Sequence, residues 1–301
     1  MGLGYIGLPT ASFLGTKGYD VVGVDVSPAV VDTINGGDIH IVEPDLDILV
    51  KSAVNAGNLR ASLEPTEADV FILAVPTPFK GNYDPDLSYV RQATRAIAPY
   101  LKPGNLIILE STSPVGTTEE TVARLLQEHG HDIDNDIFIA HCPERVLPGR
   151  IIVELVQNDR IVGGINPRST EIAAKFYREF VSGEVLETNA RTAELSKLSE
   201  NAFRDVNIAF ANELSIICEQ ENIDPWEMIK LANRHPRVNM AVPGHFEAIP
   251  YTVVRRTDRS SRKNPPGATP VRRRCAGWVA GARGQSPRYR ERRDGIGGDQ
   301  S

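Results

Sequence analysis

The first group of residues with chemistry in its spacing is Gly2-Leu3-Gly4-Tyr5-Ile6-Gly7, which fits G-x-G-x-x-G. Glycines at those positions permit a tight turn, close approach of a pyrophosphate and close packing of the helix that follows. The amino end of that helix favours an anion. Such a site needs an acidic residue about 20 positions on, at the end of the second strand, to hold a ribose 2′-hydroxyl. Asp25 ends the run VVGVDV and fills that place. A carboxylate there repels a 2′-phosphate, so the expected cofactor is NAD rather than NADP.

A second group lies in NARTAELSKLSENAFRDVNIAF, where Lys197, Asn201 and Arg204 stand at i, i+4 and i+7. That spacing puts an ammonium, an amide and a guanidinium on one helical stripe. Such a stripe suits a diphosphate or a developing alkoxide, and it is equally a solvated helix face. In HCPERVLPG, Glu144 follows a strand and precedes a turn, where a carboxylate can orient or deprotonate a water or stand as an ordinary surface charge. His141 and Cys142 alternate across a strand end, so Cys142 reads as a buried thiol rather than a nucleophile. Thr77, in AVPTPF, ends a strand at a turn, where its hydroxyl serves a ligand or the local backbone.

The elements that must position these groups follow from periodicity. Strands are expected at Val21–Val26, Val70–Val75, Leu106–Glu110, Ile137–His141, Arg160–Gly163 and Val185–Thr188. Several are near-continuous apolar runs, as in parallel sheets covered on both faces. Helical patterns lie between them: one opens at Ser27-Pro28, and others cover about 45–56, 87–100, 117–128 and 167–180. The fold class is α/β, a Rossmann-like doubly wound parallel sheet over residues 1–188. From about Asn189 more than 30 residues run without Gly or Pro, the long central helix of an all-helical domain over 189–253. Asp224-Pro225 caps a further helix that ends near His235-Pro236. Only Met1 precedes the glycine turn where a first, central strand belongs, so most of that strand is expected upstream of Met1.

The chain has 301 residues and a net charge of −6. From Arg255 to Ser301 there are 13 Lys and Arg against 4 Asp and Glu, with no Leu or Phe and one Ile. So few large apolar side chains cannot offset the ordering entropy, and residues 254–301 are expected to be a disordered basic tail. No apolar run reaches membrane-spanning length and no signal peptide opens the chain. Three scattered cysteines make neither a disulfide framework nor a metal site, which points to the cytoplasm, with neither nucleic acid nor membrane as partner.

The motifs GLGYIGLPTA, AVPTPF, ESTSPVGTT, HCPERVLPGR, ELSKLSENAFRDVNIAFANEL and NRHPRVN together resemble the UDP-sugar 6-dehydrogenases, the UDP-glucose/GDP-mannose dehydrogenase type, over about residues 1–240. Within that family the likeness is nearest the branch acting on UDP-N-acetylmannosamine. The resemblance implies two NAD-dependent oxidations of a sugar C6 alcohol to a carboxylate, for polysaccharide synthesis, and a homodimer formed through the long helix. It implies NAD contacts at Gly2, Gly4, Tyr5, Ile6, Gly7, Asp25, Thr77 and Thr112. Lys197 matches the family's acid/base lysine, with Glu144 and Asn201 beside it in catalysis. Arg145, Val146, Lys197, Asn201, Arg204, His235 and Arg237 match substrate contacts.

The resemblance stops after Asn239. The family continues to Gly-Gly-His-Cys, whose thiol carries the second oxidation; Gly244-His245 is followed here by Phe246. An abrupt change to Arg-rich sequence is what an altered reading frame produces, and the chain is expected to be an impaired member of the family. Two other functions stay open on sequence: a non-catalytic NAD-binding, dimerising fragment, and a hydroxyacid dehydrogenase with a Lys/Asn helix.

Overall fold

The structure, a computed structural model, describes residues 1–81 and 84–241. Their order is α1 (Gly7–Thr16), β1 (Val21–Val24), α2 (Pro28–Asn35), α3 (Leu46–Asn55), β2 (Leu59–Ser62), β3 (Val70–Leu73), a short hairpin of β4 (Phe79–Lys80) and β5 (Asp84–Pro85), then α4 (Ser88–Ile97) and β6 (Leu106–Leu109). A π-helical turn, Thr118–Ala123, leads into α5 (Arg124–Glu128). There follow β7 (Phe138–His141), α6 (Ile151–Gln157), β8 (Arg160–Gly164), α7 (Pro167–Arg178), β9 (Val185–Asn189), α8 (Ala190–Glu221) and α9 (Pro225–Ala232). The tail, Phe246 and Cys275 lie outside the described residues.

The described residues divide into two compact units, the first Met1–Arg204 and the second 205–241. The sequence places this boundary near residue 188. In the structure the first turns of α8 belong to the first unit, because Ala190, Ala193, Glu194 and Lys197 are buried.

The first unit is the α/β layer fold expected. One sheet has the order β3-β6-β7-β8-β9 and a second pairs β1 with β2 in parallel. Every residue of β6 is buried, as befits a strand covered on both faces. Its side chains alternate: Leu106 and Ile108 join a core with Val162 and Tyr177, while Ile107 and Leu109 join one with Ile97 and Ile139. A third core gathers Leu8, Ile34, Leu46 and Val50 beside β1 and β2.

Two features depart from the sequence reading. The sheet is not all parallel, since β8 runs antiparallel to β7, pairing Ala140 with Gly164 and His141 with Gly163. A parallel pair needs a crossover that returns the chain to the strand's starting end. Residues 142–159 instead deliver β8 from the end at which β7 finishes. In addition, β2 and α6 escaped the sequence pattern, being short and weakly periodic.

Met1 occupies a strand position. Its ammonium donates to Ile72 O at 2.8 Å, Ala74 N–H donates to Met1 O at 2.9 Å, and Gly2 N–H donates to Val24 O at 2.8 Å. Met1 and Gly2 thus tie β3 to β1 in the pattern of a parallel ladder. Burial lowers the Met1 ammonium to about 6.

In the second unit α8 runs on to Glu221 and ends at Asn222, whose φ of 58° is the left-handed conformation that Asn tolerates after a helix. Asp224 caps α9 by accepting from Trp226 N–H at 2.8 Å, and Pro225 opens the helix. Beyond it the Asn233 side chain bonds Met240 N–H at 2.8 Å and Met240 O at 3.0 Å. This closes the loop that carries His235 and Arg237.

Candidate active site

At the glycine turn the three glycines do different work. Gly2 has φ +86°, and a side chain there would strike Ala74 O at 2.6 Å. A side chain on Gly7 would overlap Gly2 O, so this glycine is required by the approach of α1 to the turn. Gly4 is exposed, and a Cβ there would meet nothing within 4 Å. The fold itself therefore demands Gly2 and Gly7, while bare backbone at Gly4 is what close approach of a pyrophosphate requires. Tyr5 is exposed beside it, and Ile6, half-buried, is the N-cap of α1.

Asp25 sits just past β1. Its carboxylate accepts Leu3 N–H at 2.9 Å and Ser27 N–H at 3.0 Å. A carboxylate offers about four lone-pair sites, so both oxygens keep capacity for ribose hydroxyls. The loops after β3 and β6 are tied together because Thr77 Oγ1 donates to Thr112 O at 2.6 Å and Ser111 Oγ donates to Val75 O at 2.7 Å. Thr77 thus serves backbone, though of a segment 35 residues away rather than of its own turn. All these groups lie at the carboxyl ends of β1, β3 and β6, the edge at which open α/β sheets bind ligands. The residues present fit a dinucleotide.

Glu144 follows β7 and is buried, which differs from the surface charge pair that sequence alone allowed. Arg160 Nη1 donates to Glu144 Oε2 at 2.7 Å, and Arg160 Nη2 donates to Leu155 O at 3.1 Å. The guanidinium also lies over the Tyr177 ring. Tyr177 Oη donates to Glu110 Oε1 at 2.8 Å, and Glu110 Oε2 is buried with no hydrogen bond. Burial first, then the Glu144 charge, pushes Glu110 up to about 7. Cys142 lies in the same interior, where burial pushes its thiol up to about 12. The thiol is inert at neutral pH. Desolvation likewise holds His141 down to about 3, as the neutral imidazole.

Lys197 is 8% exposed. Desolvation lowers its pKa, and Arg204 and Arg145 add to that, against Glu200 and Glu144, which raise it. A partly desolvated amine poised below its usual value is suited to take a proton. Asn201 and Arg204 are half-buried on the same stripe, with Arg204 Nη2 3.5 Å from Asn201 Oδ1. The stripe is therefore not a solvated face. Arg145 is held by Glu200 at 2.8 Å and by Asp159 O at 3.0 Å, and Val146 packs against the core. Glu144, Arg145, Lys197, Asn201 and Arg204 all belong to the first unit. His235 and Arg237 belong to the second, where both are exposed and Arg237 N–H donates to His235 Nδ1 at 3.3 Å.

Sequence reasoning missed the residues that hold these groups. Arg160 is a lone charge opening an apolar strand, which was the one signal available. Glu43 is buried and accepts Gly149 N–H at 2.8 Å and Ile151 N–H at 2.9 Å, fixing the loop after Glu144. Glu194, fully buried one turn before Lys197, accepts Gly116 N–H at 2.5 Å, Thr118 N–H at 2.8 Å and Thr118 Oγ1 at 2.6 Å. It joins α8 to the segment that carries Thr112.

A glycine turn opening a helix, an acidic residue after β1 and a buried lysine on a long helix define a dinucleotide-dependent dehydrogenase fold. Residues 1–181 match the NAD binding domain of the UDP-glucose/GDP-mannose dehydrogenase family, and residues 191–246 match its central domain. The chain belongs to that family. That family is not the hydroxyacid dehydrogenase family that sequence had left open.

A UDP-N-acetyl-D-mannosamine dehydrogenase from Campylobacter jejuni is 59% identical over 253 residues, 81% of this chain and 62% of the relative. An NDP-N-acetyl-D-galactosaminuronic acid dehydrogenase from Ralstonia nicotianae is 54% identical, over 87% of this chain and 65% of the relative. Among solved structures, the UDP-D-ManNAc dehydrogenase of Pyrococcus horikoshii superposes with a TM-score of 0.78 at 48% identity, covering 81% of this chain and 59% of that one. The chain spans less than two thirds of the length of these relatives.

Proposed function

We propose that this chain binds NAD at the glycine turn and carries the first oxidation of a UDP-N-acetylhexosamine, UDP-N-acetyl-D-mannosamine first among candidates. The observation that carries this reading is Lys197, a buried amine of lowered pKa set among Glu144, Glu200, Arg145 and Arg204 on the stripe of Asn201. Bound NAD supplies a hydride acceptor for the sugar C6. The chain's own part is to bind, orient and move a proton. Lys197, whose pKa desolvation lowers, takes the C6 hydroxyl proton, directly or through a water that Glu144 orients. Asn201 and Arg204 fix the sugar and neutralise the diphosphate.

The second oxidation needs a thiol to capture the aldehyde. When Gly244-His245 is matched to the Gly-His of the family's motif, Phe246 falls at the position of its cysteine. Cys142 and Cys218 are buried, and Cys142 is held as the thiol, so neither replaces it. The chain as given is therefore expected to release at most one NADH per sugar, slowly, with the aldehyde as product. Counting NADH against consumed UDP-N-acetylmannosamine tests this, and two NADH with carboxylate formed would overturn it. A Lys197→Met variant should lose the NADH signal while still binding NAD; an unchanged rate would remove Lys197 from the chemistry. NAD binding without any turnover would leave a non-catalytic fragment as the function.

A homodimer is part of the reading. Phe203, Val206 and Phe210 are exposed along one face of α8, at spacings of three and four. An apolar stripe on a long helix supports a second copy as its cover. Sedimentation of the wild type and of Val206→Glu distinguishes dimer from monomer. Among the described residues no helix is long and apolar enough to cross a membrane. The free thiols of Cys142 and Cys218 support a reducing compartment, the cytoplasm.

A further inference from the structure

His141 ends β7 as a fully buried imidazole, and neither ring nitrogen has a hydrogen-bond partner. A neutral imidazole carries one N–H and one bare lone pair, and both are costly to bury unpaired. The place of this ring in the sheet is specific. In the ladders His141 stands opposite Leu109 of β6 and Gly163 of β8. Residues directly opposite share a face. Along β7, Ala140 and Cys142 join the core of Tyr177, while Ile139 joins that of Leu109. By alternation His141 projects on the side of Ile139 and Leu109.

That side is the one against which α8 begins. A Cβ added at Gly163 would lie 2.8 Å from Ala193 Cβ and 2.3 Å from Asn189 O, so the bare glycine lets the first turn of α8 settle on the sheet beside the imidazole. Lys197 is the next side chain along that helix face, four residues after Ala193. Its charge reaches the ring and lowers the imidazole beyond what burial does. The lysine lacks a partner as well: among the described residues no hydrogen bond or ion pair holds its amine. The carboxylates around it are engaged elsewhere, Glu144 with Arg145 N–H and Arg160, Glu200 with Arg145, and Glu194 with Gly116 and Thr118. Arg145 and Arg204 only repel it. Leu109 O, already taken by Cys142 N–H at 3.1 Å, raises the ring from outside hydrogen-bond geometry and favours the ring N–H on that side. The other nitrogen is left as a bare acceptor, and an ammonium is all donor.

We propose that His141 is a positioning residue for Lys197, accepting a hydrogen bond from its ammonium and so holding the proton-carrying amine on the sheet side of α8. Because burial keeps the imidazole neutral down to about pH 3, the ring is an acceptor at every working pH and never a competing cation. An acceptor for the ammonium favours the state in which the lysine has taken a proton. The part this plays in the reaction rests on the reading of Lys197 as the base. The pairing itself does not need turnover, so it is tested on the lysine and the ring directly.

The whole chain, with carbon-13 at lysine Cε and nitrogen-15 in the histidine rings, is titrated by NMR without cofactor or sugar. Lys197→Met and His141→Gln assign the two signals. Lys197 should titrate about one pH unit lower in His141→Leu than in the wild type, the effect of removing an acceptor from a charged donor. His141→Gln, whose amide oxygen accepts, should recover most of that shift. In the wild type one ring nitrogen of His141 should move with the Lys197 midpoint while staying in the range of a neutral ring, and in Lys197→Met it should stay still. An unchanged Lys197 midpoint in His141→Leu overturns the proposal. Equal lowering in His141→Gln overturns it too, because the shift then comes from repacking rather than from a lost acceptor. Where His141→Leu fails to fold, the wild-type ring signal decides, and a His141 nitrogen indifferent to Lys197 protonation counts against the pairing. The expected titrations in a chain that makes no NADH would uphold the pairing and overturn the enzymatic reading alone.

Discussion

Arg160 Nη1 donates to Glu144 Oε2 at 2.7 Å in the interior of the first unit, where the two side chains are 2% and 6% exposed. The pair anchors the segment that leads to Arg145 and Val146. A buried ion pair is weak evidence of net stability, but removing one partner leaves the other charge uncompensated. Arg160→Met should therefore destabilise the chain by about 3–5 kcal/mol. The double variant Glu144→Gln/Arg160→Met should recover part of that loss. Urea unfolding of the three proteins checks it; a single variant as stable as wild type would mean that the pair is solvated in solution.

Glu110 predicts a pH dependence. Its pKa is raised from 4.5 to about 7, by burial first and then by Glu144, while Arg160, the Tyr177 hydroxyl and the Met1 ammonium oppose the shift. The folded chain thus keeps a proton that the unfolded chain releases. Stability from this group is full below about 4.5 and is lost as pH rises to about 7, because there the folded state binds more protons. Glu110→Gln, which stays neutral, should flatten the fall in urea midpoint across that window. An unchanged slope in the variant would assign the dependence to another group.

The glycines separate fold from ligand. Gly4→Ala places its methyl in open space, so the thermal midpoint should not move while NAD affinity falls about tenfold, or about 1.4 kcal/mol. Gly7→Ala drives its methyl into Gly2 O and should cost about 1–3 kcal/mol of stability, as overpacking does. Titration with NAD and thermal melts of both variants are the measurements. A Gly4→Ala chain that binds NAD like wild type would place the pyrophosphate elsewhere.

Asp25 sets the preference for NAD. Asp25→Asn keeps the shape and one acceptor but removes the charge, so NAD should bind more weakly by about 1–3 kcal/mol and discrimination against NADP should shrink. Calorimetry with both cofactors decides. Equal affinities in the unmutated chain would defeat the assignment.

Residue order alone established the elements whose pattern is local. The glycine turn, Asp25 after VVGVDV, the apolar strands and the long helix each depend on residues within one or two turns of one another. Their positions agree with the structure to within a few residues. Local pattern also put Lys197, Asn201 and Arg204 on one stripe. It had no means of showing that the stripe is partly buried, since that depends on which elements cover it.

Tertiary structure decided the rest because the deciding contacts join residues far apart in sequence. Glu144 meets Arg160 across 16 residues, Glu43 reaches Gly149 across 106, and Glu194 reaches Gly116 across 78. A carboxylate looks the same in a sequence whether water or a guanidinium surrounds it. Its burial, and so its pKa and its role, exist only once the chain has closed around it. The direction of β8 is of the same kind: the run RIVGG specifies a strand, while only the path of residues 142–159 specifies that it lies antiparallel to β7.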